Sequence, residues 1–192
     1  MSSLKDILEF NGRFVEEKGY EPYITTKYPN KKLVVLSCMD SRLVELLPKS
    51  MNLRNSDVKI EKSAGAIVNH PFGSIMRSIL FALYKLNAEE VFIVGHCGMS
   101  AVDPDSMIEH MKERGISDET FDILKYSSLD INSWLRGFGD VITSVLKSCE
   151  VVRNHPLIAK TIPVHGLVMD PKKGYLDLLS DGNACIEQQN KA

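Results

Sequence analysis

The chain has 192 residues, a size that suits one domain with a substantial core, and its formal net charge of -2 gives neither nucleic acid nor anionic lipid a bulk electrostatic reason to bind. Hydrophobic residues at 44% and charged residues at 25% are those of a soluble globular protein, and no apolar run approaches the roughly 20 residues needed to span a bilayer, so no membrane role is expected. Cys38, Cys97, Cys149 and Cys185 are widely scattered and the stretch from Met1 to Asp6 lacks the apolar core of a signal peptide, which together point to a reducing cytoplasm.

In chain order, Leu4 to Lys18 reads as an amphipathic helix with Leu4, Ile7, Leu8, Phe14 and Val15 on one face, Ser3 as its cap and Gly19 as its stop. That helix must pack on something, either its own domain or a second subunit. Pro22 to Lys32 is a loop. From Lys32 strand and helix patterns alternate, the signature of a mostly parallel sheet covered by helices on both faces. Leu33 to Met39 is the first strand, Arg42 to Met51 a helix, and Val58 to Glu61 a second strand that runs into Ser63, Ala64, Gly65 and Ala66. Phe72 to Leu86 carries the clearest apolar stripe, and Glu90 to Val94 is a third strand leading into Gly95, His96, Cys97, Gly98 and Met99. Short helices are expected over Ser106 to Arg114, Asp118 to Tyr126 and Ile131 to Arg136, with a longer one over Asp140 to Arg153. Asp103 and Ser117 have the chemistry of helix starts. Ile162 to Met169 and Tyr175 to Leu179 close an α/β sheet of four to five strands. The whole reads as a single domain: a helical arm and loop over 1–31, an α/β core over 32–180 and a polar, frayed tail over 181–192.

The chemistry collects at the strand ends. If the chain stays extended after the first strand, Cys38, Asp40 and Arg42 share one face, because side chains alternate along a strand. A thiol, a carboxylate and a guanidinium fork then line one wall, as a metal or thiol site or as an ordinary strand end with a buried cysteine and an ion pair. Small residues at Ser63, Ala64 and Gly65 let backbone amides approach a ligand, or simply make a tight turn. His96 and Cys97 follow the third strand. In an open α/β sheet ligands bind beyond the carboxyl ends of the strands, and two thiols with one imidazole suit zinc.

Cys38-Met39-Asp40-Ser41-Arg42, Lys62 to Ala66, and Val94-Gly95-His96 followed by Cys97-Gly98-Met99 resemble the beta-class carbonic anhydrases, and the likeness extends over most of the chain. The resemblance implies reversible hydration of carbon dioxide to bicarbonate and a proton. It implies zinc held by Cys38, His96 and Cys97, with Asp40 paired to Arg42 or swinging in as a fourth ligand in a closed form. Asp40 and Arg42 are then catalytic, Ser63, Ala64 and Gly65 border the substrate pocket, and the chain forms a homodimer or a larger homo-oligomer gripped by the N-terminal helix. One departure stands out: the family places two residues between the histidine and the second cysteine, whereas His96 and Cys97 are adjacent. The close flanking match argues for two residues missing between them, and a peptide bond joining them directly, with Cα atoms about 3.8 Å apart, argues against it. Residue three beyond His96 is Met99, whose thioether is a poor zinc ligand. A zinc enzyme acting on another small carbon or sulfur compound, or a non-catalytic zinc-binding or interaction protein, is the competing reading.

The remaining candidates read as structural. His110 and His155 are expected at the surface, His165 as a hydrogen-bonding strand residue, His70 as a loop residue or relay beside the pocket, Trp134 and Cys149 as core, and Cys185 as an exposed tail thiol.

Overall fold

The computed structural model describes residues 3–98, 103–127, 130–136, 139–189 and 191. Met99, part of the family motif, lies outside them. Five strands, β1 (Leu33–Cys38), β2 (Val58–Ser63), β3 (Glu90–His96), β4 (Val164–Met169) and β5 (Leu176–Ser180), form one sheet in the order β2-β1-β3-β4-β5. The first four run parallel and β5 pairs antiparallel with β4. β1 is buried from Val34 to Cys38, the near-continuous burial of a parallel strand covered on both faces.

Alternation sorts the strand residues into two cores. Val34, Leu36, Val91 and Ile93 face α3 (Ser74–Leu86) and α7 (Val141–Arg153), packing with Met76, Ile79, Leu83, Val145 and Val152. On the other face Val35 and Val94 pack with Leu43 and Leu47 of α2 (Leu43–Ser50) and with Met169. Two glycines bring α7 down onto the sheet: a Cβ at Gly95 would stand 2.7 Å from Val145 Cγ2, and one at Gly166 would stand 2.9 Å from Cys149 Sγ. The strand backbone just before His96 therefore sits directly under a helix.

The middle of the chain forms α4 (Pro104–Glu113), α5 (Asp118–Lys125) and α6 (Ile131–Arg136). Side-chain oxygens of Asp103, Ser117 and Asp140 accept from the backbone N–H of Asp105, Thr120 and Thr143, so α4, α5 and α7 start where their capping residues stand.

Several expectations are corrected. The N-terminal helix α1 (Ser3–Glu16) buries none of its residues, and Leu4, Ile7, Leu8, Phe10 and Val15 are all more than half exposed, so it does not dock on its own domain. Its left-handed end residue is Lys18 at φ 56°, while Gly19 is small because a Cβ there would lie 2.5 Å from the Phe14 ring. The tail is not frayed: Gly182–Gln189 is a helix, α8, and its first N–H donates to His165 Nδ1 at 3.1 Å. His165 thus has the structural hydrogen bond expected of it. His155 is buried rather than at the surface, its Nδ1 accepting from Leu157 N and its ring tilted against Phe72. Trp134 is 60% exposed, because the short α6 turns that face outward.

Gly182 has no room for a side chain, since a Cβ there would run into the backbone of Val164. Gly182→Ala is expected to cost about 1–3 kcal/mol, the usual size of an overpacking strain, read as a lowered urea midpoint at unchanged slope. A midpoint equal to that of the unmodified protein would show that α8 does not close on β4 as described.

Candidate metal centre

The parallel ladders bring three strand ends together. Cys38 lies opposite Ser63, Ser37 opposite Val94, and His96 opposite Met169. The chain leaves the sheet after Met39, whose N–H makes a last bond to Ser63 O at 3.1 Å. Asp40 and Arg42 therefore do not meet by alternation along an extended strand. They meet through a turn: Arg42 N donates to Asp40 Oδ1 at 2.9 Å, while Arg42 Nε and NH2 reach Oδ1 at 3.0 Å and Oδ2 at 2.7 Å. The side-chain hydrogen bonds from Arg42, then its backbone N–H, hold the Asp40 carboxyl well below the usual carboxylate range. In return the hydrogen bond to Asp40 raises the Arg42 guanidinium, with the nearby Cys38 adding a smaller attraction.

His96 is fully buried at the end of β3. Its Nδ1 stands 2.9 Å from the Cys97 carbonyl oxygen, and because a carbonyl can only accept, Nδ1 is the nitrogen that carries a proton. A neutral ring then leaves a lone pair on Nε2. That atom is buried with no hydrogen-bond partner and faces Asp40 Oδ2 at 3.6 Å. A buried lone pair facing a carboxylate oxygen is unfavourable unless a cation, proton or metal, lies between them.

His96 and Cys97 are consecutive, and among the described residues no peptide bond is cis. Cys97 N continues the ladder to Met169 O at 2.8 Å, and the Cys97 side chain is exposed while His96 is buried. Neighbours on a strand point to opposite sides, in keeping with the burial of His96 and the exposure of Cys97. Among the described residues no three or more His, Cys, Asp or Glu side chains are gathered tightly enough to hold a metal ion. The residue types at these strand ends are those zinc prefers, the His96 imidazole with an orphaned Nε2, the ionised Asp40 carboxylate beside it and the buried Cys38 thiol on the adjoining strand end, although the three are not drawn together on one point. Cys97 does not fit.

The turn after β2 has the geometry its small residues allow. Gly65 takes φ 77°, and Ser63 Oγ accepts from Ile67 N at 3.1 Å. Ser63 and Ala64 line a cleft of about 580 Å³ whose walls include Ile67, Ile75, Met107, Met111, Trp134 and Leu135. Gly65 is buried and is not among the residues lining this cleft. His70 borders the cleft, with its Nδ1 accepting from Phe72 N at 3.0 Å. Met107, Met111 and Trp134 escape sequence reasoning because apolar positions on short helices look the same whether they face a core or a cleft.

Comparison with known proteins agrees with this architecture. A family model described as carbonic anhydrase matches residues 33–176. The Bacillus subtilis protein YtiB, which carries carbonic anhydrase as a provisional name, is 58% identical over 95% of this chain and 98% of its own length. The beta-carbonic anhydrase isoform I of Trichomonas vaginalis superposes with a TM-score of 0.83 at 32% identity, covering 95% of this chain and 100% of that one. A carbon disulfide hydrolase of Acidithiobacillus thiooxidans is 26% identical over 77% of this chain and 76% of its own length. With sequence and overall fold in agreement, the chain belongs to the carbonic anhydrase family and has its beta-class fold.

Proposed function

We propose that the chain catalyses the reversible hydration of carbon dioxide to bicarbonate and a proton at the carboxyl ends of β1 and β3. The observation that carries this reading is the buried, unpartnered His96 Nε2 facing an Asp40 carboxylate that Arg42 keeps ionised. Cys38 and His96 would hold a zinc ion, which supplies the Lewis acidity that ionises water near neutral pH. Arg42 fixes both oxygens of Asp40 and prevents its protonation. Asp40 is then an acceptor only, and it orients the attacking water by taking a hydrogen bond from it. The apolar cleft beside Ser63 and Ala64 suits a small, uncharged substrate on its way to the strand ends.

Stopped-flow hydration of carbon dioxide, run beside hydrolysis of carbon disulfide, tests the assignment. Cys38→Ser is expected to lose bound zinc and at least a hundredfold in kcat/KM for carbon dioxide. Unchanged hydration in that variant, or turnover of carbon disulfide alone, would refute it.

The Asp40–Arg42 pair also sets an acid limit. A carboxyl whose folded pKa is depressed contributes stability above its unfolded value of about 3.9, and that contribution is lost as pH falls through the folded value. In metal-free protein Arg42→Met should bring the Asp40 carboxyl resonance back to an ordinary titration, and the stability gap between variant and parent should narrow as the solution is acidified below pH 4. A gap independent of pH would mean that the pair does not hold the charge.

Two further parts of the reading concern assembly and compartment. The exposed apolar face of α1 supports a homodimer or larger homo-oligomer in which this helix grips a second copy. Removing residues 3–16 should shift the mass seen by light scattering downward, and an unchanged mass would remove α1 from the interface. Four free cysteines support a reducing, cytoplasmic setting, and among the described residues no helix is long and apolar enough to cross a membrane.

A further inference from the structure

We infer that His165 is a proton-operated latch for α8: the neutral ring seats the helix on β4, and a proton taken from solvent onto Nδ1 unseats it. The inference goes beyond the proposed reaction and is independent of it. His165 stands near the start of β4, whereas Met169, which pairs with His96, stands at its other end.

Three observations lead there. First, the neutral ring has one fixed tautomer. Gly182 N donates to Nδ1 at 3.1 Å, so the Nδ1 lone pair is taken and Nε2 carries the proton. The Phe92 ring is stacked on the imidazole with centroids 4.7 Å apart and holds its plane. Nε2 is buried without a hydrogen-bond partner and faces Glu90 Oε2 at 3.5 Å.

Second, the charges around the ring invite another proton. Glu90 comes from β3, and Asp181, just before α8, holds Oδ1 3.6 Å from Nδ1. Cations on the neighbouring elements are engaged elsewhere: Lys32 with Glu89, and Arg153 of α7 with Val164 O and Ser180 Oγ. From α8 itself comes the Cys185 thiol, whose Sγ lies 4.0 Å from Ser180 Oγ.

Third, α8 has little else to hold it, for Gly182 is its only buried residue. A proton on Nδ1 confronts the Gly182 N–H with a donor where it had an acceptor. The charged ring then draws Asp181 Oδ1, which in the seated helix accepts from Asn183 N at 2.9 Å. Both leading N–H groups of α8 lose their partners together, and a cation stands at the positive end of the helix dipole. Histidine is the side chain that makes such a change close to neutral pH.

The test follows the isotopically labelled full chain by nuclear magnetic resonance from about pH 8 to about pH 5. Ring nitrogen shifts report the protonation of His165, and amide shifts report Gly182 and Asn183. Hydrogen exchange over α8, divided by the intrinsic rate at each pH, reports its docking, with the amides of β1 and β3 as the control for global unfolding. At high pH Nδ1 should be the unprotonated nitrogen. On acidification the Gly182 and Asn183 amides should move on the same curve as the ring, and normalised exchange over α8 should rise about tenfold or more while β1 and β3 stay protected. His165→Asn, whose carboxamide takes up no proton, should show no such rise. An unprotonated Nε2 at high pH, a ring still neutral at the acid end, a protonated ring with α8 still protected, loss of protection in α8 and the sheet together, or the same rise in a folded His165→Asn would each overturn the inference. Should that variant fail to fold, the titration of the parent chain decides by itself.

Discussion

The register between β1 and β3 is the constraint on which the rest depends. Leu33 pairs with Glu90 and Ser37 with Val94, so the two strands end within a residue or two of each other. Cys38 and His96 are almost sixty positions apart in sequence, yet the ladder leaves no freedom in how their backbones approach. A shift of one residue in either strand would exchange the core and site faces, because side chains alternate. It would take His96 out of the face it shares with Val94 and bury the wrong set of apolar groups. Folding the sheet and building the centre are the same event. The centre has a secure foundation because both faces of these strands are packed, by α3 and α7 on one side and α2 on the other.

On that foundation the electrostatics are local. Arg42 spends its fork and its backbone N–H on one carboxylate, and among the described residues no other group bonds Asp40 with comparable geometry. His96 receives direction from a different source, the carbonyl of the residue after it. Two independent hydrogen-bonding devices, one a turn and one a strand end, thereby present a negative oxygen and a basic nitrogen to the same small volume. Neither device needs a second subunit or a moving loop. The adjoining cleft draws its walls from more distant elements, α4 and α6 among them, and so can change in shape without altering the donors.

Much of this was legible in the residues themselves. The alternation of strand and helix, the caps at Asp103 and Ser117, and the meeting of Asp40, Arg42 and His96 follow from local patterns that tertiary packing reinforces. What could not be read depends on contacts between distant segments. The final helix exists because Gly182 finds His165 and fits against Val164, a match invisible in a short polar stretch. His155 is buried, with its ring against Phe72 from just before α3, far up the chain. The pairing of Asp40 with Arg42 was anticipated for the wrong reason: the residues are two apart on a turn rather than on a strand. Cys97 shows the opposite case. Its adjacency to His96 was plain from the start, and only the strand geometry shows that adjacency to mean exposure.

The absence of a side chain at Gly95 has a wider effect. Because Val141 and Val145 rest on bare backbone immediately before the imidazole, α7 acts as a stop against which the end of β3 is seated. Bulk added to those valines presses on the strand, so drift along α7 is tied to the aim of a single nitrogen. Relatives that diverge along α7 should therefore change in concert with whatever occupies position 95, and the helix can be treated as part of the catalytic inheritance although it supplies no catalytic group.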